Sequence, residues 1–244
     1  MTRIVAHRGW SGKAPENTMA AFSLALTHPE IEAIELDVHL SKDGIPVVIH
    51  DYTIDRTTDG SGAVVDYTAE ELRQFDAGQW FDDAFTGEYI PTLQEVFSHI
   101  GGKKKLLVEL KQKANYYPGL EQKVVQLIQE HQLQEQVRVI SFDHTSLEKV
   151  KEADPYIETG LIYLGMVTLL KEQLAHTGAK YIGMHHEFMT DKVIEIAGSL
   201  GVEVGAWTVD EEAAVNRIKA FTGDLLITTN HPDRLMEETV SLLQ

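Results

Sequence analysis

The chain has 244 residues, 43% hydrophobic and 24% charged, a length and balance that accommodate one large hydrophobic core. It contains no cysteine, which excludes disulfides, thiolate zinc sites and a cysteine nucleophile and leaves His, Asp and Glu as the side chains able to hold a metal. Lys plus Arg total 21 against 38 Asp plus Glu, and a net charge of −17 repels nucleic acid and anionic membrane surfaces, so any phosphate handled here needs local cations.

The first strand is expected at Ile4–Ala6. It is cut short by His7-Arg8-Gly9, so no secretory segment forms; no apolar run approaches the roughly 18 residues of a membrane span, and a cytoplasmic location is expected. At the C-terminal end of that strand Arg8 can hold a phosphate oxygen bidentately while His7 transfers protons, although such a pair taken alone is more often structural. Pro15-Glu16-Asn17-Thr18 reads as a helix start, with Asn17 or Thr18 as the N-cap, and stays outside the catalytic set.

The second strand, Ala33–Leu40, alternates polar and apolar residues, which turns Glu35 and Asp37 to one face. Two acids inside a buried strand are costly unless a cation neutralises them, and the apolar flanks favour a hard-metal site over a solvated edge. Pro46–His50 follows too closely for a parallel crossover. The Asp43-Gly44 pair predicts a two-residue turn that pairs Lys42 with Ile45, so the run returns antiparallel with His50 opposite Asp37. An insertion then covers about residues 41–91. It is rich in glycine, Asp55-Arg56-Thr57-Thr58 organises it through turns and ion pairing, and a helix begins near Thr92.

Lys105–Lys111 is the third barrel strand, and it places Glu109 and Lys111 on one face as a further oxygen ligand and a point charge for phosphate, or as an ordinary Glu–Lys pair. Strands are expected next at Val137–Phe142, Thr159–Leu164, Lys180–Met184, Glu203–Thr208 and Leu225–Thr228. Helical periods over Gly119–His131, Asp191–Leu200 and Glu211–Ala220 lie among them. His185-His186 has no defined role. Trp207 serves either as a wall against substrate or as packing between barrel and helices. Eight β/α units in one domain give a (β/α)8 TIM barrel. A doubly wound sheet fits less well, because no Gly-rich fingerprint follows the first strand and polar residues sit at the C-terminal ends of several strands.

The ordered pieces H-R-G, P-E-N-T, E-L-D-V-H, K-D-G, V-V-I-H-D, R-T-T, E-L-K and W-T-V-D, from His7 to about Pro232, closely resemble the glycerophosphodiester phosphodiesterase family. The resemblance implies a (β/α)8 barrel with a small insertion after its second strand. It also implies a divalent cation at the mouth and release of glycerol 3-phosphate and an alcohol from a small glycerophosphodiester. On the matching positions, His7 and His50 look like an acid–base pair, Glu35, Asp37 and Glu109 like metal ligands, and Arg8 and Lys111 like phosphate clamps. Oxygen ligands suit either Mg2+ or Ca2+. Asp210 departs from the family, whose members often carry Asn after W-T-V, and is expected to cap the following helix. A lysophospholipase D-like activity would need an apolar channel, and a non-catalytic binder should lack a histidine or a metal ligand.

Overall fold

The computed structural model describes residues 2–236. Its barrel strands are β1 (Thr2–Ala6), β2 (Ile31–Leu40), β4 (Lys105–Leu110), β5 (Val137–Ser141), β6 (Glu158–Tyr163), β7 (Tyr181–His185), β8 (Glu203–Trp207) and β9 (Leu225–Thr229), while β3 (Pro46–Val48) lies outside the ring. Neighbouring barrel strands pair in parallel, and β1 pairs with both β2 and β9, which closes the sheet into the expected eight-stranded barrel.

The helices are α1 (Met19–Leu26), α2 (Ala69–Leu72), α3 (Leu93–Ile100), α4 (Leu120–Glu130), α5 (His144–Ala153), α6 (Leu170–Thr177), α7 (Asp191–Ser199) and α8 (Glu212–Lys219). Thr18 caps α1, as expected. Thr92 and Glu95 form a reciprocal capping box at α3, whose Leu93, Val96, Phe97 and Ile100 are buried on one face. Burial of each such side chain contributes roughly 1.5–3 kcal/mol, so a charge at Phe97 should detach this helix from the barrel.

Strand alternation divides the apolar residues between two sides. Ile34, Leu36, Val38, Leu106 and Val108 join the main cluster with the helices, whereas Val5, Ala33, Leu107, Ile140, Ile162, Tyr181 and Leu226 form a smaller cluster of their own, in the barrel interior. Tyr181 is the bulkiest of this second set. It fits because Gly205 lies beside it: a Cβ there would stand 2.0 Å from the Tyr181 hydroxyl.

The hairpin is antiparallel as expected, but its register is not the expected one. Val38 faces Val48 and Leu40 faces Pro46, a pairing that puts Asp37 opposite Ile49, whose amide donates to the Asp37 carbonyl at 3.1 Å. The turn has three residues, Lys42 to Gly44, closed by Gly44 N to Ser41 O at 2.9 Å and Ser41 N to Ile45 O at 3.0 Å, with Gly44 left-handed at φ +72°. The Ser41 hydroxyl reinforces it, accepting from Ile45 N at 2.9 Å. Residues 41–91 have a small apolar cluster of their own, built from Val47, Ile49, Ile54, Val64, Leu72, Ala77 and Ile90.

Candidate active site

Glu35, Asp37 and Glu109 emerge inward near the C-terminal ends of β2 and β4, where Asp37 and Glu109 are register partners. All three are buried, and each offers an oxygen within 4.8 Å of the others. A cation 2.0–2.6 Å from each ligand spans oxygens up to about 5.2 Å apart, so the spacing fits one ion. Glu35 Oε1 is buried without a hydrogen-bond partner, as an unused ligand atom would be. The residues therefore fit a hard divalent cation.

Two cations already serve these acids. Lys111 Nζ stands 2.8 Å from Asp37 Oδ1 and 2.7 Å from Glu109 Oε1. The first of these is an ion pair without an aligned hydrogen bond, since Asp37 Oδ1 has no hydrogen-bond partner. Arg8 donates through its backbone to Glu35 Oε2 at 3.0 Å and through its guanidinium to Glu16 at 2.8 Å, with Nε 3.3 Å from Asp37. Its backbone is left-handed at φ 55°, an uncommon conformation for a residue with a side chain.

The balance differs between the three acids. Burial pushes the Glu35 carboxyl well above the usual range, and Asp37 and Glu109 add to that. Burial also raises Glu109, and Asp37 outweighs part of the relief from Lys111. For Asp37 burial is overcome by Lys111, Arg8 and His50, which hold it far below the usual range. Burial alone would lower Arg8 and Lys111, but the acids around them raise both.

His7 follows β1, with Nδ1 2.7 Å from Asn230 Oδ1 and Nε2 3.8 Å from Glu35. Burial, then Arg8, lowers its pKa to about 4. His50 lies one residue beyond the position facing Asp37 but remains close enough to act on it electrostatically, and its Nδ1 is 2.6 Å from Asp51. Its carbonyl accepts from His39 Nε2 at 3.0 Å, so His39 Nδ1 must accept from the Tyr117 hydroxyl at 2.7 Å. Burial keeps His39 neutral by lowering it to about 4.

Trp207 lines a cavity of about 30 Å³ beneath the mouth together with His7, Glu35, Glu109 and Tyr181. Its ring meets the edges of Phe142 at 5.4 Å and His185 at 5.1 Å. His186 stacks on His185 beside it. A larger groove of about 670 Å³ runs past Gln136, Tyr156 and Glu158 at the opposite, N-terminal end of the strands, far from these histidines and acids.

Several residues left aside by the sequence reading belong here. Asn17, left-handed at φ 57°, donates to Asp37 Oδ2 at 2.8 Å, and Glu16 bridges Arg8 to Arg56, which also holds Asp51 at 2.7 Å. The signal for both was the P-E-N-T string itself, whose only capping residue is Thr18. Asp210 does not cap α8: the residue at that cap is Glu211, and the Asp210 carboxylate instead accepts from Thr229 and from Asn230. That partner lies twenty residues away, so no local pattern announces it.

Residues 7–234 match the sequence model of the glycerophosphoryl diester phosphodiesterase family. A glycerophosphodiester phosphodiesterase of Caldanaerobacter subterraneus subsp. tengcongensis is 41% identical over 238 residues, 96% of each chain. One from Bacillus altitudinis is 35% identical over 243 residues, 97% of this chain and 98% of its own. The structure of an Oleispira antarctica phosphodiesterase in complex with the product sn-glycerol-3-phosphate superposes with a TM-score of 0.89 at 31% identity, covering 96% of this chain and 94% of that one.

Proposed function

The chain belongs to the glycerophosphoryl diester phosphodiesterase family and is an enzyme that hydrolyses glycerophosphodiesters, and from that premise we propose a metal-dependent reaction with His7 and His50 as its acid–base pair. The observation that carries the proposal is the convergence of Glu35, Asp37 and Glu109 within 4.8 Å of one another. One divalent cation, Mg2+ or Ca2+, held by these three would supply positive charge to a phosphate oxygen.

Arg8 and Lys111 flank the acids and bring the remaining positive charge, so a phosphodiester monoanion is clamped where charge builds at phosphorus. One imidazole takes a proton from the attacking hydroxyl, either water or the glycerol 2-hydroxyl, and the other gives a proton to the leaving alkoxide. The products are sn-glycerol 3-phosphate, the molecule bound in the Oleispira antarctica structure, and an alcohol. Trp207 forms the wall against the glycerol moiety, supported by its place in the cavity beside His7 and Glu109.

The test is release of glycerol 3-phosphate from a panel of glycerophosphodiesters with and without a chelator. Activity should vanish with the metal and return with Mg2+ or Ca2+. Glu109→Gln should lower metal affinity and turnover, with partial rescue at high metal concentration. Full activity in chelator, or a Glu109→Gln enzyme with unchanged metal dependence, would sink the metal assignment.

A second reading has one observation in its favour. Phe142, Leu164, Met166 and Leu169 are exposed in the connections after β5 and β6, on the end of the barrel that carries the site. Turnover of a long-chain lysophospholipid above that of glycerophosphocholine would establish it. Among the described residues no helix is long and apolar enough to cross a membrane.

A further inference from the structure

We infer that Asp210 is a positioning residue which, through Asn230, fixes the tautomer of His7 so that its unprotonated nitrogen, Nε2, faces the site. Asp210, Asn230 and His7 form a chain of donors and acceptors in which each link leaves one choice. Both oxygens of the Asp210 carboxylate accept: Oδ1 from Asn230 N at 2.8 Å and from Thr229 Oγ1 at 2.9 Å, Oδ2 from the Asn230 side chain at 2.6 Å. A carboxylate has no proton to give, so the Asn230 amide must turn its NH2 toward Asp210 and its oxygen the other way.

That oxygen lies 2.7 Å from His7 Nδ1 and 2.7 Å from Ser11 Oγ. An amide oxygen only accepts, so Nδ1 carries the proton. In the neutral ring Nε2 then holds the lone pair, 3.8 Å from Glu35 Oε2 and beside the cavity shared with Glu109 and Trp207. Free imidazole of histidine prefers the opposite tautomer. The bias here comes from an amide whose direction is set by a carboxylate one bond further out, an arrangement that orients the ring without placing a charge against it.

The inference rests on the reading of His7 as an acid–base group and makes it the residue that starts as base. It also accounts for the pair of residue types at 210 and 230. Exchanging them, as Asp210→Asn with Asn230→Asp, preserves every link: the new amide oxygen accepts from the backbone and Thr229, its NH2 donates to the new carboxylate, and that carboxylate accepts from His7 Nδ1.

Imidazole nitrogen NMR of the metal-loaded full-length enzyme, at mildly alkaline pH, reads the tautomer directly, with the His7 signals identified by their loss in His7→Ala. Wild-type His7 should show a protonated Nδ1 and a bare Nε2. Asp210→Ala frees the amide to turn, so His7 should shift toward the Nε2-protonated form while kcat falls roughly 10–100-fold with KM little changed. The exchanged pair should restore the Nδ1-protonated tautomer. A wild-type His7 protonated on Nε2, or a folded Asp210→Ala enzyme whose His7 keeps its Nδ1 proton, overturns the inference, and the first result decides even if Asp210→Ala does not fold. Wild-type turnover by His7→Ala would instead remove the acid–base reading of His7 and leave the tautomer measurement standing.

Discussion

At the N-terminal end of the barrel, Arg3 pairs with Glu32 and Glu203, and Arg138 with Glu158 and Glu203 at 2.6 Å each, so two guanidinium groups are interleaved with three carboxylates. At the C-terminal end Glu35, Asp37 and Glu109 crowd together with Arg8 and Lys111 among them. The composition is similar, yet Glu35 and Glu109 respond in the opposite direction from Glu32 and Glu203, while Asp37, flanked by Lys111 and Arg8, is held low. Glu32 is lowered by its hydrogen bonds to Arg3, and Glu203 is lowered despite its burial because Arg3 and Arg138 both bond it. Glu35 and Glu109 are raised, because burial and their neighbours' charge exceed what Arg8 and Lys111 return. One end is a settled ion network that ties β1, β2, β5, β6 and β8 together. The other holds unfavourable negative charge that a divalent cation would relieve, as functional sites often do.

The largest expected effect falls on the C-terminal end alone. His7→Ala and His50→Ala should each lower turnover by roughly 10²–10⁴-fold, the range for acid–base groups, with thermal unfolding little changed. Measured by glycerol 3-phosphate release, wild-type turnover from either variant would remove that residue from the mechanism. Replacements in the Arg3–Glu203–Arg138 network should act on stability and leave KM unchanged.

The two ends should also separate along the pH axis. His7 and His39 have folded values near 4 against an ordinary 6.5. Between those values the unfolded chain binds more protons, so their contribution is complete above about pH 6.5 and is lost as pH falls toward 4. Glu32 and Glu203, held below their ordinary 4.5, contribute above that value and lose it only as pH falls further. Glu35 and Glu109, held above their ordinary value, take up protons in the folded state first and oppose the histidine loss. Denaturant melts from pH 7 to 3 should therefore show both phases once Glu35 and Glu109 are replaced by Gln. Glu203→Gln should flatten the lower phase and spare the upper one; loss of the upper phase in that variant would break the separation.

Much of this architecture is legible in the sequence because strand alternation is a local property. The runs around Ile34–Val38 and Leu106–Leu110 announce buried strands, and period two then dictates that Glu35, Asp37 and Glu109 point inward. The hairpin register is less legible, since Asp43-Gly44 serves a two-residue turn and a three-residue turn with left-handed glycine equally well, and the Ser41 hydroxyl favours the second. Glu16 and Asn17 were hidden by the neighbouring Thr18 cap. Their return to the site depends on left-handed backbone at Asn17, a residue type that tolerates it, and at Arg8, where the residue type gives no sign of it. The Asp210–Asn230 pair is invisible for a different reason: it joins the loops after β8 and β9 across the intervening helix α8, twenty residues apart.

The comparison between the two ends is tested most directly by one substitution made twice, Glu35→Gln and Glu203→Gln, with thermal unfolding followed in chelator near pH 7. Removing the charge at Glu35 relieves repulsion and desolvation, while Gln still offers an oxygen to the Arg8 amide, so Tm should rise by a few degrees, about 2–4 °C for each kcal/mol in a chain of this size. Removing it at Glu203 strips two guanidinium groups of a partner, so Tm should fall. Opposite signs are the expected result, and a Glu35→Gln protein that melts below the metal-free wild type would contradict the account.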